Sequence, residues 1–149
     1  MLLSFCWQAI QMGRANLYFY STNQLTEYWR ENNLQDFTQY SDALQAIEKA
    51  NIEHPNNPQY LATQGLVYEW GAVANVFENE QQTLELLMQA KSFYVDAATL
   101  RPTWSVTWAT LALLKWRLGE IDQELIDYLQ QAHKYGPYVM EVHQAWLEI

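Results

Sequence analysis

The stretch Ala90-Lys91-Ser92-Phe93-Tyr94-Val95-Asp96-Ala97-Ala98-Thr99-Leu100-Arg101-Pro102 decides the fold. Ala90, Tyr94 and Ala97 are spaced four and three apart, so they share one face of an α-helix. The small Ala97 lets a neighbouring helix come close. Pro102 then stops the helix, because proline has no N–H and clashes with the preceding turn. The same spacing occurs twice more. Ala43, Ile47 and Ala50 precede Pro55, and Leu125, Leu129 and Ala132 precede Pro137.

The segments after the prolines are also alike. Pro58 suits the first turn of a helix, and that helix carries Leu61, Gly65 and Tyr68. Beyond Pro102 come Trp108, Leu111 and Ala112. Trp-x2-Leu-Gly/Ala-x2-aromatic, then Ala-x3-Phe and a later Pro, marks the two helices of the roughly 34-residue tetratricopeptide (TPR) repeat. The chain resembles that family at Leu61, Gly65, Tyr68, Ala90, Tyr94, Ala97 and Pro102. It does so again at Trp108, Leu111, Ala112, Leu125, Leu129, Ala132 and Pro137. The resemblance implies an all-α fold, a TPR-like α-α solenoid of about seven antiparallel helices.

Helices are expected over 4–32, 38–53, 58–77, 82–100, 103–118, 121–135 and 138–148. Gly119 supplies a left-handed cap between the fifth and sixth. From Pro102 to Pro137 is 35 residues, but from Pro55 to Pro102 is 47. Thirteen extra residues therefore fall around Trp70 to Leu86. They are expected to lengthen both helices there, leaving Glu78-Asn79-Glu80-Gln81-Gln82 as the turn. The whole chain, 1–149, reads as one domain. Residues 1–40 read as an atypical long helix, a cap or the stem of a membrane anchor, and 41–149 as the repeat helices.

Composition agrees with helices. Half of the 149 residues are apolar and 15% are aromatic, too many for a disordered chain. Five Gly and four Pro are too few for a sandwich of many short strands. The net charge of −9 repels phosphate backbones and anionic lipid, so no nucleic-acid partner is expected. Cys6 is the only cysteine, which excludes an intrachain disulfide and a cysteine-based zinc site. The apolar head from Met1 to Met12 is shorter than the roughly 20 residues that span a bilayer. It reads either as the buried start of the first helix or as the trailing half of an anchor that begins before Met1.

The sequence carries no metalloprotease, nucleophile-elbow, phosphate-loop or dinucleotide motif. His54 precedes Pro55 in a loop, and His133 and His143 fall in different helices. Glu120, Asp122, Glu124 and Asp127 open the sixth helix, where acids complement the helix dipole; a solvated face is expected there rather than a metal site. No catalytic residue, metal or cofactor is expected, and the chain is read as a binding protein rather than an enzyme.

In a TPR stack the first helices of successive pairs line a concave surface. Counting from Pro58 and Ser105, that surface takes Gln59, Ala62, Leu66 and Glu69, then Val106, Ala109, Leu113 and Trp116. Trp116 is the candidate for stacking on a sugar or a side chain. Arg101, Lys115 and Arg117 place three of the eight basic residues near one end, a local signal for an anionic group.

A second resemblance covers most of the chain. Gln11-Met12-Gly13-Arg14-Ala15-Asn16-Leu17-Tyr18-Phe19-Tyr20 after an apolar head, with Arg101-Pro102-Thr103-Trp104 through Gly136-Pro137-Tyr138, is similar to VpsP-type bacterial proteins of exopolysaccharide biosynthesis. It implies a scaffold in the cell envelope, periplasmic or at the inner membrane. Its partners would be proteins of the polysaccharide-assembly machinery, with a membrane tether before Met1 and self-association as options. The alternative expectation is a saccharide-binding module with an aromatic groove.

Overall fold

The computed structural model describes residues 2–34 and 36–149, without the side chains of residues 2 and 3. Met1 and the side chains of Leu2 and Leu3, part of the apolar head, lie outside the described residues. Seven helices follow one another: α1 Leu2–Asn32, α2 Phe37–Glu53, α3 Pro58–Val73, α4 Glu80–Leu100, α5 Ser105–Arg117, α6 Gln123–Tyr135 and α7 Met140–Glu148. The strongest packing joins α3 to α4, α1 to α2 and α5 to α6, and α7 lies against α5. The architecture is therefore three helix hairpins stacked in chain order, closed by a seventh helix.

Side-chain caps set four of the helix starts. Asp36, Asn57, Asn79 and Asp122 each accept a hydrogen bond from a backbone N–H of the first turn of α2, α3, α4 and α6. Gly119 has φ 72°, as expected of a left-handed cap, and the Glu120 N–H returns to the Lys115 carbonyl at 2.9 Å.

The repeat spacing has a direct structural cause. A methyl group on Gly65 of α3 would stand 3.1 Å from the Tyr94 ring and 3.2 Å from the Ala90 carbonyl oxygen of α4. Only a very small residue suits this place, because a Cβ there would press on both the ring and the α4 backbone. In the third pair Ala112 takes this place, fully buried against Leu125, Leu129 and Ala132.

The first pair is built alike, although its sequence hides it. Thr22 of α1 is fully buried and donates to the Ala43 carbonyl of α2 at 3.3 Å. It stands toward Ala43 as Gly65 stands toward Ala90. The same hydroxyl lies 3.1 Å from the Tyr18 carbonyl of its own helix, so its one proton is shared between the two oxygens, and the small threonine stands where the pattern asks for glycine. Trp29 is also fully buried, donates to Gln39 Oε1 at 3.1 Å, and meets Trp70 edge-on. Arg14 pairs with Glu53 at 2.6 Å. The second half of α1 packs along α2, and the two form the first hairpin. Residues 4–10 of α1 are exposed, Phe5, Trp7 and Ile10 among them, rather than a buried helix start. No helix among the described residues is long and apolar enough to cross a membrane.

The thirteen extra residues fall differently from expectation. Helix α3 stops at Val73 instead of continuing to 77. Asn75 takes a left-handed φ of 49°, and the Val76 N–H bonds back to the Gly71 carbonyl at 3.2 Å. That six-residue closure is a helix stop, and Asn is the non-glycine residue that best accepts it. Most of the extra length goes into α4, which at 21 residues exceeds α2 and α6.

Candidate functional site

The concave side of the stack holds a cavity of ≈ 670 Å³. Helix α1 contributes Asn23 and Arg30, and α3 contributes Gln59, Ala62, Thr63 and Leu66. From the end of α4 come Tyr94, Ala97 and Arg101, while Trp104, Val106, Thr107 and Thr110 come from the start of α5. Helix α7 adds Glu141. A smaller cavity of ≈ 140 Å³ beside it is lined by Arg30, Leu66, Glu69 and Trp70.

Of the residues expected on this surface, Gln59, Ala62, Leu66 and Val106 line the larger cavity, and Leu66 and Glu69 the smaller. Ala109 is buried in the core shared by α5, α6 and α7, and Leu113 packs against that core. Trp116 is 39% exposed and lies outside both linings. The tryptophan that does line the cavity is Trp104. The Arg101 guanidinium lies over its ring, 3.6 Å from the centroid.

The basic end of the groove differs from expectation. Lys115 is 2% exposed, and Glu120, Asp122 and Glu124 all pair with its ammonium, Asp122 at 2.9 Å and Glu120 at 3.0 Å. Burial pulls the lysine pKa down, but the three carboxylates raise it further, so the net shift is upward. Lys115 is thus spent inside the protein. The acidic start of α6 is not simply a solvated face either. Its three carboxylates come together closely enough to suit a cation, and Lys115, with Lys91 beside it, provides that cation.

Arg117 pairs with Glu69, which also accepts from the Tyr94 hydroxyl at 3.2 Å. This chain ties α5, α3 and α4 together. Burial, and after it the charge and hydrogen bond of Glu69, hold the Tyr94 phenol well above its ordinary pKa. Tyr94 is therefore a neutral wall of the cavity.

The cations facing the cavity are Arg30 and Arg101. Arg30 pairs with Glu27 at 3.2 Å on the helix surface, with both side chains more than half exposed, a weak attachment that a ligand can replace. Arg30 and Asn23 were missed at sequence level because α1 was set apart from the repeat. Thr63, Thr107 and Thr110 add hydroxyls, and Gln59 and Asn23 add amides. The surface offers donors, acceptors, one aromatic plane and two guanidinium groups, with one carboxylate at Glu141. It suits recognition of an extended, polar, partly anionic segment. The three histidines are elsewhere: His54 sits edge-on to Tyr60, and His133 and His143 are on the surface.

No family model and no curated protein matches this chain. Among solved structures it is similar to a human IFIT1 dimer with PPP-AAAA, at a TM-score of 0.68 and 18% identity, over 83% of this chain and 26% of that one. The chain spans about a quarter of that protein's length. The fold is a TPR-like α-α solenoid. One expectation is overturned. A net charge of −9 argues against a nucleic-acid partner, yet a protein of this fold is found with PPP-AAAA. Net charge averages over the whole surface, and here most acids lie away from a cavity that faces two arginines.

Proposed function

We propose that the chain is a non-catalytic binding module whose concave groove takes an extended segment of a partner protein, with an acidic group seated between Arg30 and Arg101. The observation that carries this reading is the cavity of ≈ 670 Å³ across α1, α3, α4 and α5, where the Arg101 guanidinium lies over Trp104. A guanidinium held flat on an indole keeps its N–H edge free to bind a carboxylate in a fixed direction. Thr63, Thr107 and Thr110 supply hydrogen bonds along the backbone of the bound segment. The candidate surface is Gln59, Ala62, Leu66, Glu69 and Val106 from the sequence pattern, extended by Asn23, Arg30, Arg101 and Trp104. The similarity to VpsP-type proteins is the support for a partner in the exopolysaccharide machinery at the cell envelope. A saccharide alternative would stack on Trp104 rather than Trp116.

A second reading is favoured by one specific observation, the likeness to a solenoid found with PPP-AAAA. Here the same two arginines would hold the phosphates of an RNA end. Selection of peptides from a random displayed library, alongside anisotropy titration with PPP-AAAA and with AAAA lacking the triphosphate, separates the two. The first reading expects acidic extended peptides that Arg101→Gln no longer retains. Binding of PPP-AAAA alone, lost with the same substitution, transfers the groove to the second. No ligand from either set rejects both.

A further inference from the structure

A second cavity, of ≈ 380 Å³, opens among α2, α3 and the first turns of α4. Its walls include Phe37, Tyr40, Tyr68 and Phe77, and its rim carries Gln82 and Glu85. The thirteen extra residues make it: Phe77 lies in the widened turn, and Gln82, Glu85, Leu86 and Gln89 share one face of the lengthened start of α4. It is separate from the concave groove and shares no lining residue with it.

Three of its aromatic rings form a tight triangle. The centroids of Phe37 and Phe77 are 5.4 Å apart, those of Tyr40 and Phe77 6.0 Å, and those of Phe37 and Tyr40 6.2 Å. The planes are tilted by 43° to 84° from one another, so the rings turn in different directions instead of stacking. A charge seated above the triangle lies within about 6 Å of the three centroids, the distance at which a cation over a ring face is attracted. Phe37 is 51% exposed and Phe77 37%, so both are reachable from solvent, while Tyr40, 2% exposed, forms the buried back of the triangle.

The charges point the same way. No Lys, Arg or His is among the described residues lining this cavity. The Glu85 carboxylate on the rim accepts only from the neutral Gln81 amide, at 3.0 Å, among its described bonds. Burial first, then the neighbouring Tyr68 phenol and the Glu48 carboxylate, holds the Tyr40 phenol above its ordinary pKa, so this wall stays neutral. Aromatic rings, a carboxylate at the mouth with no cation among its described partners and a chain of net charge −9 together select a cation. The rings select one with an apolar shell over a hydrated metal ion.

We propose that the cavity formed by Phe37, Tyr40, Phe77 and Glu85 binds a methylated ammonium group, carried either by a small free molecule or by a trimethylated lysine side chain.

The test is calorimetric titration of the whole chain with choline, with a trimethyl-lysine peptide, and with 3,3-dimethylbutan-1-ol, the neutral isostere of choline. At least one cation is expected to bind about tenfold or more tightly than the neutral alcohol. Choline alone identifies a free molecule, and the peptide alone identifies a lysine side chain. Phe77→Leu, which stays apolar but loses the π face, is expected to weaken the cation about threefold or more and leave the alcohol unchanged. Glu85→Gln, on the exposed rim and harmless to folding, is expected to weaken the cation in the same direction. Equal affinity for cation and alcohol, or no binding of either cation by the wild type, overturns the proposal.

Discussion

The Arg101 guanidinium sits 3.6 Å from the ring centroid of Trp104, at the point where α4 ends and α5 begins. Pro102 lies between them in sequence and forces the chain out of the helix there. The residue that punctuates the repeat therefore also orients the cation of the groove. Arg101→Gln and Trp104→Ala are each expected to weaken a groove ligand by about tenfold, near 1.4 kcal/mol. Both positions are at the rim, so the melting temperature should move little. A large loss of stability in either variant would show that the pair serves folding instead.

Lys115 gives a stability prediction of opposite character. Its stem is buried while Glu120, Asp122 and Glu124 close over the ammonium. Lys115→Met keeps the stem and removes the charge. The carboxylates are 39% to 53% exposed and can turn to water, so the cost is less than for a fully enclosed pair. A loss of about 1–3 kcal/mol is expected in urea denaturation at neutral pH. An unchanged midpoint would remove the cluster from any role in stability.

The same cluster sets a pH window. Hydrogen bonds from Lys115 hold Asp122 and Glu124 below the usual carboxyl range, and Lys91 followed by Lys115 does so for Glu120. A depressed folded pKa contributes stability above the unfolded value, about 4, and loses it as pH falls through the folded value. The raised Lys115 contributes below its unfolded value, about 10.4, and loses that as pH climbs through the folded one. The difference in stability between wild type and Lys115→Met should be level between about pH 5 and 10 and shrink below about pH 4. A difference that grows on acidification would contradict this origin.

Gly65 tests the close approach inside the second hairpin. Alanine or valine is a better helix former than glycine by up to about 1 kcal/mol. Here any Cβ meets the Tyr94 ring at 3.1 Å and the Ala90 carbonyl at 3.2 Å. Gly65→Val is expected to destabilise by about 1–3 kcal/mol in thermal or urea unfolding, because the backbone oxygen cannot move aside. A stabilised variant would mean that the helices separate without cost.

The repeat was legible where its residues do a purely steric job. Ala43, Ala50, Ala90, Ala97 and Ala132 are all buried at the seams that the spacing assigns them. It was illegible where another residue takes a glycine's place, as at the fully buried Thr22, whose hydroxyl is shared between the Tyr18 and Ala43 carbonyls. That one exchange concealed the first hairpin and, with it, Arg30 and Asn23. The cations of the groove were misassigned for a related reason. Arg101 lies before the start of α5 and Lys115 in its last turn, so the helix itself holds them apart, and the turn at Gly119 brings the acids of α6 back over Lys115. A long-range fold-back of this kind leaves no periodic trace. The early end of α3 at Asn75 is equally local, since a left-handed asparagine stop differs little in sequence from a helical one.

The most direct test of the groove is chemical-shift mapping of a selected acidic peptide on the isotopically labelled chain. Perturbations are predicted at the backbone amides of Asn23, Thr63, Arg101, Thr107 and Thr110, and their loss in Arg101→Gln. Perturbations confined to the exposed head of α1, or unchanged binding by Arg101→Gln, would contradict a ligand site on the concave face.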